Sequence, residues 1–174
     1  MRAKDFMTYC PHCGSNTFKG TNNKEVRCSD CGFRFFPNAA AAVALIIVNE
    51  KDEILLTRRA EEPNKGTLDL PGGFVDPDES VEEAIVREIK EELCSNVTSL
   101  QYLTSAPNAY LFTGYTVMTC DLGFKVTLDN YDALEAHDDI SGIEWYSTSE
   151  LHKAMEEIKA PSIKKIINHY ITIK

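Results

Sequence analysis

Apolar residues run without interruption from Ala39 to Val48, and a second strand-like stretch, Ile54–Arg59, follows across the polar residues Asn49–Asp52. Short apolar runs bounded by turn residues read as buried strands joined by a turn. Val97–Ser105 and Tyr110–Asp121 read as a second strand pair turning at Pro107-Asn108, and Ile143–Tyr146 as a short last strand. Between 81 and 93 the period becomes helical. On a wheel of about 100° per residue, Ile85, Val86, Ile89 and Leu93 share one arc. Ser80 with Glu83 three residues later has capping-box spacing, and Ser147 with Glu150 repeats it before a second helix. Pro161 suits the first turn of a third. The mixed order predicts an α+β or α/β sandwich without internal repeats.

Length and composition narrow this little: 174 residues, 43% apolar and 26% charged, describe one ordered domain with room for a small appendage. The longest apolar run is ten residues, short of the roughly 20 that a membrane helix needs. The stretch Met1–Cys10 lacks an apolar core of the secretory type, so the expected compartment is the cytoplasm. Charge changes the picture more. The net charge of −9 argues against a nucleic-acid partner held through its backbone. Between 76 and 92 acidic residues outnumber basic ones by six, which means either a solvated helix face or a cation site.

Four of the six cysteines fall as Cys10-x2-Cys13-x14-Cys28-x2-Cys31. Two close CxxC pairs at this separation can converge on one tetrahedral zinc, with Gly14 and Gly32 permitting the tight turns. Two disulfides or two redox pairs are the competing readings, and disulfides fit a cytoplasmic chain poorly. Four thiolates close the shell, so such a zinc is structural and His12 a bystander. Residues 1–36 carry Arg2, Lys4, Lys19, Lys24, Arg27 and Arg34 against Asp5, Glu25 and Asp30. A four-thiolate zinc site adds about −2, which nearly cancels that surplus, so the module is no obvious nucleic-acid binder. Cys94 and Cys120, among apolar neighbours, read as buried, unreactive thiols.

On the helix, Glu88, Glu91 and Glu92 fall together beside the apolar arc, with Arg87 nearby and Lys90 pointing elsewhere. Glu82 and Glu83 suit the first turn, where the helix dipole favours anions, but the trio sits near the disfavoured end. Carboxylates at i, i+3 and i+4 repel unless a cation joins them, and all-oxygen ligands select Mg²⁺ or Mn²⁺. Just upstream, Leu70-Pro71-Gly72-Gly73-Phe74-Val75-Asp76 contains a Gly-Gly pair that lets backbone approach a ligand closely. Alone, such a pair is usually a turn. Before a carboxylate-rich helix it reads as a loop–helix–loop holding metal-bound phosphate.

Gly73-x5-Glu79-x7-Arg87-Glu88-Ile89-x-Glu91-Glu92 resembles the Nudix box, G-x5-E-x7-R-E-U-x-E-E-x-G-U with U a bulky apolar residue. Cys94 and Ser95 depart from its last two positions, where the chain leaves the helix. A zinc ribbon over 1–36 ahead of a domain over 37–174 resembles the NADH pyrophosphatase group, as does the Phe36-Pro37 exit from the ribbon. That group carries a Ser-Gln-Pro-Trp-Pro-Phe-type motif after the box. Here Ser105-Ala-Pro107-Asn-Ala-Tyr110 stands in its place without the Gln, Trp and second Pro.

The resemblance implies the Nudix fold, a mixed sheet between helices, and Mg²⁺-dependent hydrolysis of a nucleoside diphosphate linked to another group. It implies Glu88 and Glu92 as metal ligands with Glu91 beside them, Arg87 orienting the carboxylates, and Glu79 in support. It also points to Asp139, six residues before Trp145, as a further metal ligand or a solvated loop acid. Phe36 and Phe74 match aromatic positions that sandwich the base, with core or linker packing as the plain alternative for each. Gly72 and Gly73 would line the substrate. NADH-like and ADP-ribose-like compounds are the expected substrates, (d)NTPs or a non-catalytic binding role the alternatives, and a homodimer is left open.

Overall fold

The structure, a computed structural model, describes residues 7–20, 24–112 and 114–174. Arg2, Lys4 and Asp5, counted in the ribbon's charge, lie outside them. The chain divides into two compact units. One holds the described residues up to Ala40 together with Ala109–Thr119; the other holds Ala41–Asn108 and Cys120–Lys174.

In the first unit, β1 (Phe18–Gly20), β2 (Val26–Cys28) and β3 (Arg34–Phe35) form an antiparallel sheet with Phe18 opposite Cys28 and Val26 opposite Phe35. Its small core is Cys10, Phe18, Val26 and Cys28, with Phe33 packed against it. The two CxxC-Gly turns are built alike: Gly14 N–H donates to Cys10 O (2.8 Å) and Gly32 N–H to Cys28 O (3.1 Å). His12 stacks flat on Phe33 at 5.9 Å, exposed.

β4 (Ala40–Ile47), β7 (Val97–Phe112) and β8 (Tyr115–Leu128) form the sheet β4-β8-β7, and all but Ala40 and the Ala109–Thr119 part of these strands belongs to the second unit. A second sheet runs β6-β5-β9, with β5 at Ile54–Arg59, β6 at Leu68–Asp69 and β9 at Ile140–Tyr146. The apolar run in β4 has a simple cause: the strand is buried on both faces. Ala44 and Ile46 pack with α2 (Thr148–Glu157) and α3 (Pro161–Ile173), through Leu151, Ile163, Ile166 and Ile167. Val43, Leu45 and Ile47 pack with Ile85, Ile89 and Leu93 of α1 (Val81–Leu93). Helices thus cover both sides, the α+β architecture expected.

Several features differ from the sequence reading. β7 passes straight through Pro107-Asn108, and the turn comes at Gly114. β9 begins at Ile140, and β6 is an additional strand. Val86, counted in the apolar arc, is half exposed. Cys94 is exposed and Cys120 only partly covered. Cys94 lies outside the core because it caps α1 in the left-handed conformation, φ 53°, which turns its side chain away from the packed face.

Candidate active site

The Gly-Gly loop is part of a sheet edge. Leu45 N–H donates to Pro71 O (2.9 Å), Val43 N–H to Gly73 O (2.8 Å) and Val75 N–H to Ala41 O (3.0 Å), so residues 71–75 run beside β4. Gly72 is sterically required there, and Gly73 lets the Glu88 carboxylate approach the backbone. A Cβ on Gly72, at φ +133°, would lie 2.2 Å from Val43 O; one on Gly73 would lie 2.3 Å from Glu88 Oε1. The loop therefore presses directly on the carboxylates of α1.

The capping box predicted at Ser80 is formed: Ser80 Oγ accepts from Glu83 N–H (3.2 Å) and Glu83 Oε2 accepts from Ser80 N–H (2.8 Å). The helix it starts carries Glu88 and Glu92 inward, 8% and 2% exposed. Glu92 Oε2 accepts from Gly72 N–H at 2.9 Å, a donor that sequence reading did not foresee. The sequence names the glycine, but only the strand pairing aims its N–H.

Arg87 ties the site together. Its Nε and Nη2 grip Glu79 at 2.9 and 3.0 Å, and Nη1 reaches Glu88 (2.8 Å) and Glu91 (3.0 Å). Nη2 also donates to Phe74 O (2.9 Å). Asp76 N–H adds a bond to Glu79 (3.0 Å), fixing the loop between the glycines and the helix. Glu91 is 47% exposed and turned toward Arg87. Phe74 exposes its ring next to the box, whereas Phe36, exposed under the Arg34 guanidinium, belongs to the other unit.

Asp139 is placed by β9. Arg59 pairs with Ile140, and Ala60 N–H donates to Asp139 O (2.7 Å), at a bulge in β5. Its carboxyl meets that of Glu92 at hydrogen-bonding range and acts electrostatically on Glu88. Burial pushes the Glu92 carboxyl well above its ordinary range; the Gly72 N–H opposes this, and the charges of Asp139 and Glu88 add to it. Burial also raises Glu88, against the pull of Arg87. Glu79, held by Arg87 and the Asp76 N–H, is lowered.

Among the described residues, no three of Glu88, Glu91, Glu92 and Asp139 bring oxygens mutually within 4.8 Å. Their approach is pairwise. That suits Mg²⁺, which commonly takes one or two carboxylates and completes its shell with water and phosphate oxygens. A cleft of about 450 Å³ lined by Asn49, Glu53, Asp129, Tyr131 and Trp145 includes none of the box residues.

The four ribbon cysteines bring their sulfurs within 4.8 Å of one another, Cys10 to Cys31 at 3.6 Å and Cys13 to Cys28 at 3.7 Å. These separations exclude S–S bonds and match the roughly 3.8 Å edge of a tetrahedral zinc–thiolate site. Within the cluster the Cys31 N–H and the Thr17 hydroxyl lower Cys28 to about 6, while, against the Ser15 N–H, the neighbouring sulfurs push Cys13 up to about 12.

The family model for the NUDIX domain matches residues 38–168. A curated relative, the NAD-capped RNA hydrolase NudC of Escherichia coli O1:K1 / APEC, is 30% identical over 146 residues, 82% of this chain and 52% of that protein. The chain thus spans about half the length of the curated relatives it matches. Among solved structures, a NUDIX hydrolase from Nitrosomonas europaea superposes with a TM-score of 0.69 at 19% identity, covering 95% of this chain and 91% of that one. The NUDIX domain of NrtR from Shewanella oneidensis, solved with ADP ribose, gives 0.62 at 20% identity over 79% and 89%. With the box geometry in place and the family model covering most of its length, this chain belongs to the Nudix hydrolase family.

Proposed function

We propose that residues 37–174 hydrolyse the diphosphate of an adenylated compound, NADH-like or ADP-ribose-like, behind a structural zinc ribbon over 1–36. The observation that carries the reading is the pair of buried carboxylates, Glu88 and Glu92, both under the influence of Asp139, with Arg87 bonded to Glu88 and a backbone N–H to Glu92. Such a set holds Mg²⁺ or Mn²⁺, which when bound neutralises diphosphate charge and makes water a usable nucleophile. Glu88, Glu92 and Asp139 would hold such cations pairwise, with Glu91 available at the rim. Arg87 and Glu79 fix the geometry, and the Gly72-Gly73 backbone lines the approach. Phe74 offers a ring face for the base.

Two comparisons support the substrate class: the NudC relative is named for an NAD cap, and the NrtR domain was solved with ADP ribose. A net charge of −9 favours a free dinucleotide over an RNA-linked one. The test is a hydrolysis screen over NADH, ADP-ribose, NAD-capped RNA and dGTP with Mg²⁺ or Mn²⁺, with products identified. AMP released from NADH or ADP-ribose at the highest kcat/KM is expected, and Phe74→Ala should raise KM more than it lowers kcat. Preference for dGTP, with pyrophosphate released, overturns the substrate reading.

A further inference from the structure

Where α1 ends, three side chains from two segments converge. Cys94 caps the helix, and Glu135 and His137 stand on the segment between β8 and β9. The Cys94 sulfur, a Glu135 carboxylate oxygen and a His137 ring nitrogen all lie within 4.8 Å of one another. His137 Nε2 is hydrogen-bonded to Glu135 Oε2 at 3.1 Å, a separation that a tetrahedral zinc, with roughly 3.3 Å between N and O ligands, could take over with little movement. The place is electrically suited to a cation, because a helix C-terminus carries partial negative charge. The backbone already joins the two segments: His137 N–H donates to Glu92 O at 3.0 Å. Cys94 also sits at φ 53°, a conformation that Gly adopts without penalty and a side-chain-bearing residue does not.

We propose that Cys94, Glu135 and His137 form a second metal site, for a zinc-like divalent ion, separate from the oxygen-lined box. The mixed S, N and O donors select borderline ions such as Zn²⁺, Co²⁺ or Ni²⁺ over Mg²⁺. Three protein ligands leave a fourth position to water. On binding, the Cys94 thiol gives its proton to solvent, the hydrogen between His137 and Glu135 moves to the other ring nitrogen or to solvent, and the sulfur, the nitrogen and the carboxylate join the ion. The bound ion clamps the end of α1 to the segment that leads, two residues after His137, to Asp139.

The experiment titrates Co²⁺ into the full chain purified with zinc and without Mg²⁺, reading the near-ultraviolet thiolate-to-cobalt band. Iodoacetamide labelling at Cys94 is followed with and without Zn²⁺. The expected result is a band of one-thiolate intensity that Cys94→Ser lacks. His137→Ala should weaken Co²⁺ binding at least about tenfold, since loss of an outer-shell partner alone typically costs that much. Zinc should shield Cys94 from labelling in the parent chain and not in His137→Ala. No band in the parent, the same band in Cys94→Ser, or equal affinity in parent and His137→Ala overturns the site. None of these readouts depends on hydrolysis.

Discussion

Glu92 shows most directly how one residue can serve chemistry at the expense of the fold. It is 2% exposed, accepts a single backbone N–H from Gly72, and faces the carboxyl of Asp139. Burying an ionised carboxylate without a matched cation is costly, and a neighbouring acid makes it worse. Glutamine keeps the shape and the bond to Gly72 while removing the charge. Glu92→Gln should therefore lower kcat by about 100-fold or more, through loss of a metal ligand. The melting temperature of the Mg²⁺-free protein should hold level or rise. Thermal scanning beside a turnover assay checks both, and a variant hydrolysing at the parental rate would place the site elsewhere.

At the scale of elements, α1 is the piece on which the box depends, and its start is set by the reciprocal bonds of Ser80 and Glu83. Ser80→Ala should cost about 1 kcal/mol, or roughly 2–4 °C in Tm for a chain of this size, measurable by urea or thermal unfolding. An unchanged midpoint would mean that the box is not formed in solution. This helix was legible in the sequence, boundaries included, because periodicity, cap and charge all agree there. The long hairpin was not. Pro107-Asn108 reads as a turn, yet β7 lies at the edge of its sheet, where a missing N–H costs no ladder bond. The strand-like run of 71–75 beside β4 was hidden for a different reason: it opens on a proline and two glycines, which read as a turn. Cys94 was misread because apolar neighbours in sequence say nothing of a left-handed cap.

The molecule as a whole should register the buried acids as a dependence of stability on pH. Glu88 and Glu92 both titrate above their ordinary 4.5 in the folded chain. The folded state then holds more protons than the unfolded one across that window, so stability falls as pH rises through it. Asp69, pushed up to about 6 by burial despite Arg59, adds the same sign from outside the box. Lowering pH from about 8 to about 6 should stabilise the zinc-loaded, Mg²⁺-free protein by on the order of 1 kcal/mol. Saturating Mg²⁺ should remove the box's share and leave that of Asp69. Thermal scans across this range check it, and stability that climbs with pH would contradict the assignment. The bonds made by Arg87 carry one more consequence. A guanidinium has five N–H groups, and here all five are spoken for: three point at Glu79, Glu88 and Phe74 O, one more at Glu79 and one at Glu91. No donor is left over for a phosphate oxygen. The one arginine of the box is a strut with no free hand, and an incoming anion gets no hydrogen bond from it.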